Sequence, residues 1–148
     1  MEELKKISAK LERLCVKREC CTSEILGKAV AALDGDEQKA REVLETLVAE
    51  GFVDDLRYAS AFAREKSGLA GWGTVKIRHS LALKKIPRET IDEALAGIDA
   101  EAADRKLRAL LDTKARSLEG DPQKKFKLIR FALSRGYEWG EIEKIIGG

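Results

Sequence analysis

Proline occurs only twice and aromatic side chains fill 5% of the 148 positions, so the chain has little of the vocabulary of β-sandwiches and barrels. Histidine occurs once, as His79, and the three cysteines, Cys15, Cys20 and Cys21, crowd one short stretch. An odd, clustered set with no second group of ligands indicates neither a disulfide framework nor a zinc site. No apolar run approaches the ~18 residues of a membrane span, and no basic segment precedes a short apolar stretch as in a secretory leader. The expectation is a cytoplasmic protein without membrane contact. A dominant charge is missing too: 28 Lys and Arg against 26 Asp and Glu leave +2, too small a net field to announce a polyanionic partner.

What is present is Ala, Leu, Glu, Lys and Arg, with an apolar share of 44%, enough for a core and biased toward helix. The charge is distributed in blocks. Residues 54–88 carry eight basic and three acidic side chains, residues 89–104 six acidic and no basic, and residues 105–135 ten basic and three acidic. Two basic blocks flanking an acidic one suit a surface for a polyanion or an acidic protein, although solvated helix faces account for them as readily.

Apolar residues recur at helical spacing along the whole chain. Leu4, Ile7, Leu11, Leu14 and Cys15 mark a first helix, and Thr22 or Ser23 is the expected N-cap of a second through Ile25, Leu26, Ala29, Val30 and Leu33. Asp34-Gly35-Asp36 stops that helix and caps a third, which runs through Ala40, Val43, Leu44, Leu47 and Val48 to Gly51. Asp54 and Asp55 are read as caps of a fourth helix bearing Tyr58, Ala59, Phe62 and Ala63, which Gly68 to Gly73 breaks around Trp72. A fifth helix starts at Thr74, Pro87 opens a sixth, and Ala100 to Leu118 forms a seventh. After Gly120-Asp121-Pro122 an eighth helix holds Leu128, Phe131 and Leu133 and ends at Gly136, and a ninth holds Ile142, Ile145 and Ile146.

Sliding the chain against itself by 51 residues superposes the last two helices of each set of three. Leu26, Ile77 and Leu128 coincide, as do Val30, Leu81 and Ala132; Ala31, Ala82 and Leu133; Ala40, Ile91 and Ile142; and Leu44, Leu95 and Ile146. This register predicts an all-α fold of three tandem three-helix repeats, spanning 1–53, 54–98 and 99–148. Each repeat is too short to bury its own stripe, so the expected form is an elongated, curved array with a long face for an extended partner.

Groups that converge for catalysis are not apparent. Gly71-Trp72-Gly73 has no strand before it and reads as a turn, and His79 has no identifiable partner. Asp54-Asp55 is explained by capping, and Trp72 and Trp139 are read as core or staple packing. Helix-turn-helix DNA reading requires a recognition helix rich in Arg, Asn and Gln, whereas the sixth helix presents Glu89, Asp92 and Glu93. Non-specific contact through Arg64, Lys66, Lys76, Arg78, Lys84 and Lys85 remains open.

The run Leu47-Val48-Ala49-Glu50-Gly51-Phe52-Val53-Asp54-Asp55-Leu56-Arg57-Tyr58-Ala59 resembles the signature of the RecX regulatory proteins, which modulate the bacterial recombinase RecA. Gly73, Ile77 and Leu81, followed by Ile86, Ile91, Ala94 and Leu95, are similar to the family's second unit. Arg130, Leu133, Arg135, Gly136, Tyr137 and Ile142 are similar to its closing unit. Lys85 departs from the pattern, standing where the family commonly has glycine. The resemblance implies tandem three-helix repeats, no enzymatic activity, and binding along the groove of the RecA filament on single-stranded DNA, altering its assembly and ATP-driven reactions; the residues themselves call for no cofactor or metal, and a monomer is expected. On that reading the candidate contacts to RecA or DNA are Arg57, Arg64, Lys66, Lys76, Arg78, Lys84, Lys85, Lys124, Lys125, Lys127, Arg130 and Arg135. The alternative is a helical nucleic-acid-binding module that acts without RecA.

Overall fold

The computed structural model describes residues 2–147, and among them there is helix, turn and loop but no strand. The helices are α1 (Glu2–Lys17), α2 (Thr22–Ala32), α3 (Glu37–Ala49), α4 (Asp55–Glu65), α5 (Thr74–Leu83), α6 (Arg88–Ala96), α7 (Ala100–Ser117), α8 (Lys124–Ser134) and α9 (Trp139–Ile146), with a π-helical turn over Lys66–Ala70. The fold is an all-α helical repeat. Two compact units divide it: residues 1–61 with 81–93, and residues 62–80 with 94–148.

The 51-residue step is written into the turns. Helices α3, α6 and α9 begin at 37, 88 and 139. Ahead of them, Asp34, Lys85 and Gly136 all adopt left-handed backbone, with φ of 54°, 60° and 93°. Each turn is closed by a bond from the next residue's N–H back five positions, Gly35 to Val30, Ile86 to Leu81 and Tyr137 to Ala132. This is the Schellman arrangement, which reverses the chain while using the helix's last carbonyls. Lys85 therefore keeps the turn geometry without the glycine that suits it. Of the apolar triplets, Ile91, Ala40 and Ile142 are buried, but Ala31, Ala82 and Leu133 face solvent. Period-matching alone does not distinguish a stripe's edge from its centre.

In the first unit, α1, α2 and α3 enclose Leu11, Ile25, Ala29, Leu33, Ala40, Val43, Leu44, Leu47 and Val53. Cys20 and Cys21 are wholly buried, and burial pushes the Cys20 thiol up to about 12, an unreactive packing role. Capping differs from expectation. Cys21 stands at the N-cap of α2, and its thiol, 3.5 Å from the Ser23 hydroxyl, makes no capping bond. The exposed Thr22 N–H is taken instead by Asp55 Oδ1 at 2.7 Å, while Asp54 alone caps α4 by accepting from Arg57 N at 3.0 Å. Thus the two adjacent carboxylates serve two different helices.

In the second unit, α7, α8 and α9 enclose Leu107, Leu111, Leu128, Ala132, Tyr137 and Ile142. The fourth helix does not break at Gly68; it runs on through the π turn to Ala70, where Gly71 adopts φ 68° and Trp72 N bonds Lys66 O at 2.9 Å. Gly73 then meets the α8–α9 turn backbone to backbone. Gly73 N donates to Arg135 O at 2.8 Å and Val75 N to Gly136 O at 3.0 Å, which satisfies orphan donors at the start of α5. A Cβ at Gly73 would sit 2.3 Å from Gly136 O, and one at Gly136 would sit 2.3 Å from the Lys76 Cβ. In the first unit the matching position, Lys84 O, 51 residues before Arg135 O, accepts the Ser23 hydroxyl. Each unit thus contains one joint in which the start of a second helix docks on the next repeat's turn.

Candidate partner and nucleic-acid interface

The candidate cations fall into distinct environments. Arg57, at the first turn of α4, is committed: its Nε lies 2.8 Å from Glu19 Oε1 and its terminal nitrogen donates to Gly51 O at 3.0 Å, which fastens α4 to the end of α3. Arg135 is committed as well. Its Nε donates to Gly71 O at 3.2 Å and its terminal nitrogen to Ala70 O, so it covers carbonyls left open where the π turn ends. Lys84 and Lys85 stand exposed on the α5–α6 turn, Lys85 on its left-handed backbone.

A second group surrounds Trp72. The indole is half-buried and meets Phe62 edge to face, with centroids 6.2 Å apart. Lys66 Nζ lies 4.9 Å and Lys76 Nζ 4.4 Å from the Trp72 ring centroid, and Lys66 is also 5.6 Å from that of Phe62. Both ammonium groups are thereby held over aromatic faces while keeping their charge. Arg64 lines a neighbouring depression with Arg105 and Lys106, and Arg78 is exposed on α5.

The third group lies on α7, α8 and α9. Exposed Arg130 stacks over exposed Phe126 at 5.7 Å, and Lys114 lies over Phe131 at 5.4 Å. Lys127 bonds Asp121 at 2.6 Å, holding that carboxyl below its ordinary range, and Lys124 pairs with Glu119 at 3.5 Å. Lys125 is exposed beside Trp139, which is 52% exposed rather than packed as expected. The capping box of Glu138 and Glu141 starts α9 without needing the indole as a staple, which leaves Trp139 outward.

Lys106 and Lys114 were not singled out from the sequence, nor was Phe126. The pairs Phe62–Lys66 and Phe126–Arg130 carried a usable signal, an aromatic four residues before a cation, which places both on one helix face. Among the described residues no group of His, Cys, Asp or Glu is arranged to hold a metal ion, and no helix is long and apolar enough to cross a membrane. The arrangement offers fixed positive charge interleaved with aromatic faces, suited to phosphates and to stacked bases.

The fold and this surface define a class: an all-α tandem-repeat protein whose exposed chemistry is cationic and aromatic. The family description "RecX, second three-helix domain" matches residues 54–95, and "RecX, third three-helix domain" matches residues 102–146. The chain belongs to the RecX family of regulatory proteins. It is 31% identical over 132 residues to the regulatory protein RecX of Chromohalobacter salexigens, covering 88% of this chain and 84% of that one. It is 35% identical over 115 residues to the regulatory protein RecX of Clostridium botulinum (strain Alaska E43 / Type E3), covering 75% of this chain and 53% of that one. The chain thus spans about half the length of the first relatives it matches. The crystal structure of RecX from Lactobacillus salivarius shares the fold, with a TM-score of 0.87 at 19% identity over 98% of this chain and 95% of that one.

Proposed function

We propose that the chain is a cytoplasmic, monomeric regulator of homologous recombination and DNA repair, which binds RecA on single-stranded DNA and lowers its ATPase and strand-exchange activity. Its repeats span 1–53, 54–98 and 99–148. The RecX resemblance supports RecA as the partner, and the observation that carries a filament-facing surface is the cluster of Lys66 and Lys76 over Trp72 and Phe62. Arg64, Arg78, Lys84, Lys85, Lys124, Lys125, Lys127 and Arg130 are further candidate contacts. Arg57 and Arg135 hold the backbone that presents that surface. No chemical step is assigned to the chain. At stoichiometric ratios the purified protein is expected to co-sediment with RecA on single-stranded DNA and to slow DNA-dependent ATP hydrolysis. Unchanged ATPase and strand exchange would overturn the reading.

The same cation–aromatic cluster favours one alternative, a nucleic-acid-binding module that acts without RecA. Salt-titrated binding to bare single-stranded and duplex DNA separates the two: a RecA-dependent regulator binds bare DNA weakly, whereas an autonomous module binds it tightly with a steep salt slope. Lys66→Glu with Lys76→Glu is expected to weaken the binding in either case.

A further inference from the structure

A groove of about 680 Å³ runs between α1 and α2 in the first unit, lined by none of the candidate contact residues. Its floor is apolar: Leu11 is buried, and Ile7 and Leu14 are half-exposed into it. Along α1 the rim is Lys6, Lys10, Arg13 and Lys17, spaced four, three and four residues apart and therefore on one face. On α2 the facing wall is Lys28 and Ala32. Five cations and no carboxylate line the groove, and among the described residues none of the five takes part in an ion pair. Three other basic side chains of this unit are paired, Arg18 with Glu24, Lys39 with Asp36 and Arg57 with Glu19. A stripe of five unpaired cations on one groove, beside half-buried Ile7 and Leu14, offers charge for carboxylates and an apolar floor for apolar side chains at the same place.

We propose that this groove docks an acidic amphipathic helix of a partner protein. Leu11 and its neighbours Ile7 and Leu14 span about two helical turns, or roughly 10 Å, the reach of apolar anchors at i, i+4 and i+7 on an incoming helix. Acidic residues flanking those anchors would face Lys6, Lys10 and Arg13 on one side and Lys28 on the other. A nucleic-acid strand satisfies the charge but not the apolar floor, which is why a protein helix is the assigned occupant. The inference does not depend on the RecA reading.

The test uses the full chain and a fluorescein-labelled synthetic peptide of ~15 residues, with leucines at i, i+4 and i+7 and glutamates on both flanks, read by anisotropy. A scrambled peptide of the same composition is the control. Saturable binding is expected that weakens at least about tenfold for the scrambled peptide, for Lys10→Glu with Arg13→Glu, and for Ala32→Trp, which fills the exposed wall without changing charge. Circular dichroism confirms that these surface variants fold, and the Ala32→Trp arm separates the groove from charge alone. Equal binding of both peptides, no binding, or no effect of the variants would overturn the proposal. So would a ~20-nucleotide oligothymidylate whose affinity falls as steeply as the peptide's on Lys10→Glu with Arg13→Glu, which assigns the stripe to phosphate. Self-association abolished by the same variants would assign the groove to a second copy of the chain and overturn it as well.

Discussion

The Asp55 carboxylate accepts the Thr22 backbone N–H at 2.7 Å across 33 residues of sequence, so a residue at the start of α4 caps α2. Asp55→Ala is expected to lower unfolding free energy by about 1–2 kcal/mol and Asp55→Asn by far less, since asparagine caps nearly as well. Asp54→Ala removes the local cap of α4 for about 1 kcal/mol. Because the two caps serve different helices, urea denaturation of the double variant should give a loss close to the sum.

Lys85 and Gly136 occupy equivalent turns with opposite fitness for them. Left-handed backbone costs a side-chain-bearing residue ~1–2 kcal/mol, offset in part by the entropy a glycine loses on folding. Lys85→Gly is therefore expected to stabilise by about 0.5–1 kcal/mol, seen as a higher melting temperature. Gly73→Ala should do the reverse and more strongly, by about 3 kcal/mol, because its methyl group would enter the Gly136 carbonyl at 2.3 Å.

The Tyr137 hydroxyl is buried with no hydrogen-bond partner, and burial pushes its pKa up. A stranded hydroxyl carries a desolvation penalty of ~1–3 kcal/mol. Tyr137→Phe keeps the ring in the α7–α9 core and removes that penalty, so chemical denaturation should show a gain of about 1 kcal/mol. A loss of stability would show that the hydroxyl is satisfied in solution.

Glu24 is held below the ordinary carboxylate range, first by its hydrogen bond from Arg18 and against the opposing effect of burial. A carboxyl with a depressed folded pKa contributes stability that is fully present above its unfolded pKa of ~4.3 and disappears as pH falls through the lower folded value. Wild type should therefore exceed Glu24→Gln in stability at neutral pH, and the gap should close below about pH 4. Comparing the two proteins cancels Asp121, whose carboxyl is lowered by Lys127 in the same direction.

Helix positions and the three-step register were legible because burial imposes a 3.6-residue period and each second-to-third turn needs a left-handed residue at one fixed place. The sequence hid what depends on approach in space. Nothing local says that Asp55 turns away from its own helix toward Thr22, or that Arg135 folds back on Ala70 and Gly71. Trp139 misled for the opposite reason: an aromatic beside a turn is usually a plug, but the Glu138–Glu141 capping box already closes that helix start. Of the candidate interface, basic residues were visible as composition and the i,i+4 spacing of Phe62–Lys66 and Phe126–Arg130 was there to be read, whereas the Trp72 face beneath Lys66 and Lys76 emerged only with side-chain geometry.

The joint at Gly73 and Gly136 is made of main-chain donors and acceptors, flanked by the Arg135 guanidinium on the Ala70 and Gly71 carbonyls, and two missing methyl groups admit it. A sequence that fills either place loses the joint, whatever it writes elsewhere. Surface chemistry on either side is then free to drift toward a new partner while the spacing of the repeats stays fixed.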